Sequence, residues 1–180
     1  RSLEEAYLFI QRGFGVELRR NTRKEWAHEK IIFLGSSFGG GVILSSHIED
    51  ALMFVLLAPV TKLQRIKDSL FMLPSGNDDL FHLLSEGYAR VYRGLTREDW
   101  HNFLDGKTLI NPEENIENLK NKTLIFVQGT NDAVIRSVHT DEYVRNIQSI
   151  PINVKLIQVQ GAEHGGDLEE KVAQTLVDTL

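Results

Sequence analysis

Ser37 lies in the pentapeptide Gly35-Ser36-Ser37-Phe38-Gly39, which follows the apolar run 31–34. This G-x-S-x-G spacing is typical of a sharp turn from a strand into a helix, in which the middle serine takes a strained backbone conformation. Gly35 and Gly39 are small enough to let the chain segments approach each other without a clash. The pattern predicts that Ser37 stands exposed at the C-terminal edge of a sheet, where its hydroxyl could act as a nucleophile.

Two further polar residues occupy loops behind β-rich apolar runs. Asp132 ends a turn that follows the run 123–128, and His164 lies in a glycine-flanked loop that follows the run 154–160. A serine hydroxyl is a weak nucleophile at neutral pH, so a base such as histidine must take its proton as it attacks. A carboxylate on the other ring nitrogen fixes the tautomer of that base. Together the three residue types indicate nucleophilic catalysis.

A strand-borne serine, then an aspartate, then a histidine is the order in which the α/β-hydrolase fold family carries its catalytic triad, and this chain resembles that family over most of its length. The resemblance implies an α/β fold with a mostly parallel sheet flanked by helices. It implies that Ser37 is the nucleophile, His164 the general base and acid, and Asp132 the group that orients the imidazole. It also implies that the backbone N–H of Phe38 stabilises the oxyanion.

Each of these assignments has a competitor nearby in the sequence. Ser36 adjoins Ser37 but does not have glycine both two residues before and two residues after it. Glu163 adjoins the histidine, yet neighbouring side chains in a loop rarely aim at each other. Asp167 lies at a predicted helix start, where capping is the usual role of aspartate. We therefore favour Ser37 and Asp132.

The resemblance also sets expectations for the rest of the fold. Ahead of Ser37 we find one helix, opening at the capping-box spacing of Ser2 and Glu5, and one strand. We therefore expect the C-terminal part of an α/β-hydrolase fold, without its first strands and without the upstream loop that gives a second oxyanion donor. Residues 62–107 interrupt the alternation of strands and helices, and by analogy they form a small helical cap. We predict a single domain, 1–180, with this insertion.

The remaining segments follow the alternation of strands and helices. Apolar runs predict strands over 52–57, 123–128 and 154–160, and the intervening patterns predict helices over 38–46, 132–148 and 167–180. Thr96 is expected to cap a helix whose apolar face carries Trp100, Phe103 and Leu104.

Composition excludes several other classes of protein. The chain has 180 residues, of which 25 are acidic and 20 basic, and it has no basic stripe, so we predict no nucleic-acid partner. The longest apolar stretch, 51–60, is half the length that a membrane span needs. Cysteine is absent and no signal peptide is visible, which favours a cytoplasmic location. His28 and Glu29 lack the second histidine of a zinc motif, and the glycines around Ser37 lack the lysine of a phosphate loop, so no metal or cofactor is predicted.

The sequence thus predicts a serine hydrolase that cleaves a small-molecule ester, a thioester or a short peptide through an acyl-Ser37 intermediate. Carboxylesterase activity is favoured because it is common in the fold, although peptidases, thioesterases and acyltransferases use the same triad. A hydrolase-like binding or interaction module without turnover is the alternative from another class.

Overall fold

In a computed structural model of the chain, the described residues are 3–63, 96–108 and 110–177, with the side chains of the last helix described to residue 173. In chain order the elements are α1 (Leu3–Gln11), β1 (Phe14–Glu17), β2 (Thr22–Glu25), β3 (Ile32–Ser36), α2 (Phe38–Ser45), β4 (Met53–Leu57), α3 (Arg97–Leu104), a 3₁₀ turn (Ile116–Leu119), β5 (Thr123–Gly129), α4 (Ser137–Ile147), β6 (Asn153–Val159) and α5 (Gly166–Val177). The predicted cap falls mainly between the first two ranges, so its helices before Thr96 lie outside the described residues, as does Ser2.

The four strands that the sequence predicts form one parallel sheet in the order β3-β4-β5-β6. Because every connection between parallel strands returns the chain to the same end of the sheet, the loops behind β3, β5 and β6 all meet at the C-terminal edge. The strand predictions are therefore confirmed, and the arrangement brings the three loops with the candidate residues together. None of the described helices has the length and the apolar character needed to cross a bilayer.

Both faces of the sheet are covered by helices. Phe54 and Leu56 of β4 face a cluster that includes side chains from α1, α2 and α4, whereas Val55 and Leu57 face a second cluster built on α5. A strand that alternates between two buried faces can be apolar at every position, which explains why the strands are continuous apolar runs in the sequence. The result is a three-layer arrangement with the sheet in the middle.

The antiparallel hairpin β1-β2 was not predicted. Every residue of β2 is exposed, so the strand carries no apolar alternation that would have revealed it. The hairpin is fastened to α1 by Trp26, whose indole N–H donates to the carbonyl of Ile10 at 2.7 Å and whose ring lies 5.2 Å from that of Phe9. These contacts are tertiary, and local sequence patterns do not report them.

Helix α3 begins as the sequence predicts and packs at the C-terminal edge of the sheet. The Thr96 hydroxyl accepts the Asp99 N–H at 3.1 Å, and the Asp99 carboxylate accepts the Thr96 N–H at 3.1 Å. These hydrogen bonds to Thr96 hold the pKa of Asp99 below its ordinary value. Trp100 and Phe103 are buried, and the ring of Phe38 packs edge-on against Phe103 at 5.0 Å. Helix α3 therefore lies beside the residue that follows Ser37.

At the opposite edge of the sheet, Lys122 is a buried cation with a structural role. Only 4% of the residue is exposed, and burial lowers the pKa of its ammonium. Its Nζ donates to the carbonyls of Ile48 at 2.7 Å, Ala51 at 2.9 Å and Glu49 at 3.2 Å. The side chain thus donates to three carbonyls of the loop between α2 and β4, of which that of Ile48 also accepts the Ala51 N–H at 3.3 Å.

Lys122→Met should lower the free energy of unfolding by about 1–3 kcal/mol, because buried carbonyls lose their donor while the side chain keeps its length. Lys120→Met is the matched control, since Lys120 is exposed and pairs with the exposed Glu117. It should change stability by no more than about 0.5 kcal/mol. Urea unfolding of both variants measures the difference, and equal stabilities would contradict the role given to Lys122.

Candidate active site

Ser37 joins β3 to α2 in a conformation that side-chain-bearing residues rarely adopt, with φ 52° and ψ −119°. Its N–H donates to the Leu57 carbonyl at 2.8 Å, and its carbonyl accepts the N–H of Val60 at 2.9 Å and of Gly40 at 3.1 Å. Such strain costs about 1–3 kcal/mol and persists only where the surroundings over-determine the backbone. Here the end of β4 and the first turn of α2 hold the serine in place from both sides.

The glycines around Ser37 differ in what they do. A Cβ on Gly35 would lie 2.6 Å from Ile43 Cδ1 and 2.8 Å from the backbone of Gly39, so Gly35 provides the close approach expected of it. A Cβ on Gly40 would lie 2.6 Å from Pro59 Cβ. A Cβ on Gly39, in contrast, would meet no described atom within 4 Å outside its own helix. Close packing therefore gives a reason for glycine at 35 and 40 but not at 39.

His164 connects the serine to the aspartate. Its Nε2 lies 3.0 Å from Ser37 Oγ, and its Nδ1 lies 2.7 Å from Asp132 Oδ2. An ionised carboxylate can only accept hydrogen bonds, so Nδ1 carries the proton and Nε2 is left to accept the serine hydroxyl. The Asp132 side chain is fully buried and that of His164 is 19% exposed. The structure thus brings the three predicted residues into one chain of hydrogen bonds.

Asp132 is fixed by more than the histidine. Its Oδ1 accepts the backbone N–H of Ile135 at 2.8 Å and of Val134 at 2.9 Å. Its Oδ2 accepts the Gln128 side-chain amide at 3.3 Å in addition to His164. The sequence predicted a helix from Asp132, but α4 begins at Ser137. The reason is that the Asp132 carboxylate accepts the next backbone N–H groups, which forms a turn ahead of the helix.

The loop that carries the aspartate is joined directly to the loop that carries the histidine. The N–H of Asn131 donates to the Ala162 carbonyl at 3.0 Å, and the hydroxyl of Thr130 accepts the Gly161 N–H at 2.8 Å. A Cβ on Gly129 would lie 2.3 Å from the Ala162 oxygen, so only glycine allows this contact. Backbone contacts and the short side chain of Thr130 therefore set the separation between Asp132 and His164.

The two carboxylates that competed with Asp132 in the sequence are placed elsewhere. Asp167 accepts the Glu163 N–H at 2.7 Å and the Lys171 ammonium at 2.9 Å, and these contacts hold the pKa of Asp167 below its ordinary value. Glu163 itself is exposed. Lys171 also donates to the carbonyl of Gly161 at 3.2 Å, so this cluster fastens the histidine loop to α5. Ser36, the neighbour of Ser37, is also placed outside the hydrogen-bond chain, because the two ring nitrogens of His164 contact Ser37 and Asp132.

The backbone N–H of Phe38, the predicted oxyanion donor, lies at the start of α2. Phe38 is the first residue of α2, and the first N–H groups of a helix have no acceptor within the helix. That N–H lies at the positive end of the helix dipole, directly after the nucleophilic position. The oxyanion formed when Ser37 attacks a carbonyl carbon would accept a hydrogen bond from the Phe38 N–H. We assign no second donor among the described residues.

Gln128 and Thr130 are polar contributors to the site that sequence reasoning did not single out. The signal for Gln128 was a polar side chain directly after the apolar run 124–127 of β5. In the part of the chain that the structure describes, no group of three or more His, Asp or Glu side chains could hold a metal ion.

Several solved structures share the architecture of this chain. A puromycin hydrolase matches with a TM-score of 0.56 and 18% identity over 81% of this chain and 20% of its own. An esterase of Pyrococcus furiosus matches with a TM-score of 0.52 and 17% identity over 84% of this chain and 50% of its own. An acylaminoacyl peptidase of Pyrococcus horikoshii matches with a TM-score of 0.56 and 12% identity over 86% of this chain and 24% of its own.

These neighbours are α/β-hydrolase superfamily members, and this chain has the architecture of part of the α/β-hydrolase fold. The expectation from the sequence is confirmed at that level. The chain spans between a fifth and a half of the length of the three structures. No family model matches the sequence, and no curated protein matches it.

Proposed function

We propose that this protein is a serine hydrolase that cleaves carboxylic esters through an acyl-Ser37 intermediate. The observation that carries the proposal is the hydrogen-bond chain from Ser37 Oγ to His164 Nε2 at 3.0 Å and from His164 Nδ1 to Asp132 Oδ2 at 2.7 Å. The strained backbone of Ser37 supports it, because strain of this kind clusters at active sites. The fold supports it as well, since its neighbours include esterases.

In the proposed reaction, Ser37 Oγ attacks the ester carbonyl carbon while His164 Nε2 takes the hydroxyl proton. The carbonyl oxygen becomes an oxyanion that accepts the Phe38 N–H. When this intermediate collapses, the bond to the alcohol oxygen breaks and His164 returns the proton to that oxygen. A water then attacks the acyl-serine with the same assistance, which releases the acid and restores Ser37. Asp132 stays ionised throughout and stabilises the imidazolium.

Amide cleavage is the second candidate, because puromycin hydrolases and an acylaminoacyl peptidase are among the structural neighbours. The same residues can open an amide if His164 protonates the leaving amine. We place esters first because an alkoxide leaves more readily than an amine, so an ester makes the smaller demand on the oxyanion donors.

A matched substrate panel tests this order. Esters, thioesters and anilides of the same acyl group, with acyl chains from acetyl to octanoyl, would be compared by kcat/KM. We expect turnover, with the highest values for esters. Higher values for the anilides would assign the protein to the peptidases. No turnover of any substrate by folded protein would contradict the hydrolase proposal and favour a binding module.

A further inference from the structure

Gln128 is a buried amide at the end of β5 whose position is linked to the candidate acid. The residue is 0% exposed, in a strand whose other interior side chains are apolar. Its Nε2 lies 3.0 Å from the Ile135 carbonyl, 3.3 Å from Asp132 Oδ2 and 3.3 Å from the Gly129 carbonyl. Its Oε1 accepts the hydroxyl of Thr140, on α4, at 2.7 Å. The side chain therefore bridges the acid loop and a helix.

The surroundings leave the amide only one orientation. Three oxygens that cannot donate surround the Nε2 position, namely two backbone carbonyls and a carboxylate. If the amide were turned over, its oxygen would face all three acceptors, and none of them would receive a hydrogen bond from Gln128. Thr140 can donate to Oε1, so the orientation with the NH₂ group toward Asp132 satisfies both ends. Gln128 is thus a donor to the acid.

This donor acts on the oxygen that also faces the imidazole. Asp132 Oδ1 accepts two backbone N–H groups, whereas Oδ2 contacts Gln128 and His164 within the described part of the chain. The same NH₂ group holds the carbonyl of Ile135, which supplies one of those two backbone donors. Loss of the amide would remove one contact to Oδ2 and one contact to the turn that orients the carboxylate.

We propose that Gln128 is a positioning residue, which holds Asp132 in the orientation that His164 needs for catalysis. The inference rests on the proposed hydrolase function, because only there does the orientation of Asp132 determine a rate. Under this inference, a residue of strand β5 contributes to the orientation of the Asp132 carboxylate. Gln128 touches neither the substrate nor the reacting atoms, and it acts through Asp132.

Gln128→Met keeps the length of the side chain but removes the donor. A hydrogen bond to a charged group is lost, so we expect kcat on the best ester to fall about 10- to 100-fold, with KM changed by less than about twofold. The proton on His164 Nδ1, followed by NMR as a far-downfield signal, should move or broaden because its acceptor is no longer fixed. A merely structural role would change neither kcat nor this signal in protein that is still folded.

Thr140→Val is the matched control, because it removes the hydroxyl at the other end of the same amide and leaves all three Nε2 contacts in place. Its kcat should stay within about threefold of the parent. If Gln128→Met folds poorly, the double variant Gln128→Met/Thr140→Val removes both partners, which is less costly than leaving one unpaired. The double variant should show the same loss of kcat and the same change in the signal.

Three results would overturn the inference: an unchanged kcat and an unchanged signal in folded Gln128→Met, the same two findings in the double variant, or equal losses of kcat in Gln128→Met and Thr140→Val. The signal separates this inference from the proposed function. If the parent protein turned over no substrate, the hydrolase proposal would fail. A shift in Gln128→Met without one in Thr140→Val would still support the role of Gln128 in aligning Asp132.

Discussion

Ser37→Ala is expected to reduce ester turnover by about 10⁴- to 10⁶-fold while the protein stays folded, because the atom that forms the acyl bond is removed. Alanine fits the site of Ser37, where φ is 52°, about as well as serine does, since both carry a Cβ. Hydrolysis of the best ester should be measured over long incubations, and urea unfolding should show that stability is retained.

Ser36→Ala is the control for this change. Ser36 is the last residue of β3 and competes with Ser37 only in sequence, since His164 Nε2 lies 3.0 Å from the Ser37 hydroxyl. The control should keep kcat/KM within about threefold of the parent. The assignment of the nucleophile would be wrong if Ser36→Ala lost activity and Ser37→Ala kept it.

Asp132→Asn should lower kcat by about 10⁴-fold, and the structure gives the reason. Two backbone N–H groups donate to Oδ1, so the amide oxygen of asparagine must take that position. The NH₂ group then faces His164 Nδ1, which would have to accept rather than donate. The imidazole proton moves to Nε2, where it points at Ser37 and blocks proton transfer. Steady-state kinetics of the folded variant measures the loss.

Glu163→Gln is the matched control for Asp132→Asn, because it makes the same change of chemistry on a carboxylate next to His164 in sequence. Glu163 is exposed, and its backbone N–H, which donates to Asp167, is unaffected by the change. We expect its kcat within about threefold of the parent. A large loss in this control, together with a small loss in Asp132→Asn, would show that the acid was chosen wrongly.

Much of the sheet could be predicted from the sequence, because a strand that is buried on both faces is a continuous apolar run. Both β4 and β5 were identified in this way to within a residue or two. The G-x-S-x-G pattern identified the turn at Ser37 because it encodes local backbone geometry. Where structure depends on neighbours in sequence or on a strong local motif, the sequence is sufficient.

Much of what the sequence could not reveal depends on contacts between distant segments. The hairpin β1-β2 is exposed and is held by Trp26 against α1. The role of Gln128 depends on α4 and the acid loop lying on either side of it. The start of α4 was predicted too early because Asp132 bonds to its own loop, a preference that competes with the helix. The hairpin and the role of Gln128 therefore need the tertiary structure, whereas the start of α4 depends on a local competition between two hydrogen-bond patterns.

The most direct test of the account is the intact mass of the protein after treatment with a fluorophosphonate, which reacts with serines that a neighbouring base activates. We expect one adduct on the parent protein, one on Ser36→Ala and none on Ser37→Ala. Peptide mapping should locate the adduct on the segment that carries Ser37. No adduct on folded parent protein, or an adduct that persists in Ser37→Ala, would contradict the claim that Ser37 is an activated nucleophile.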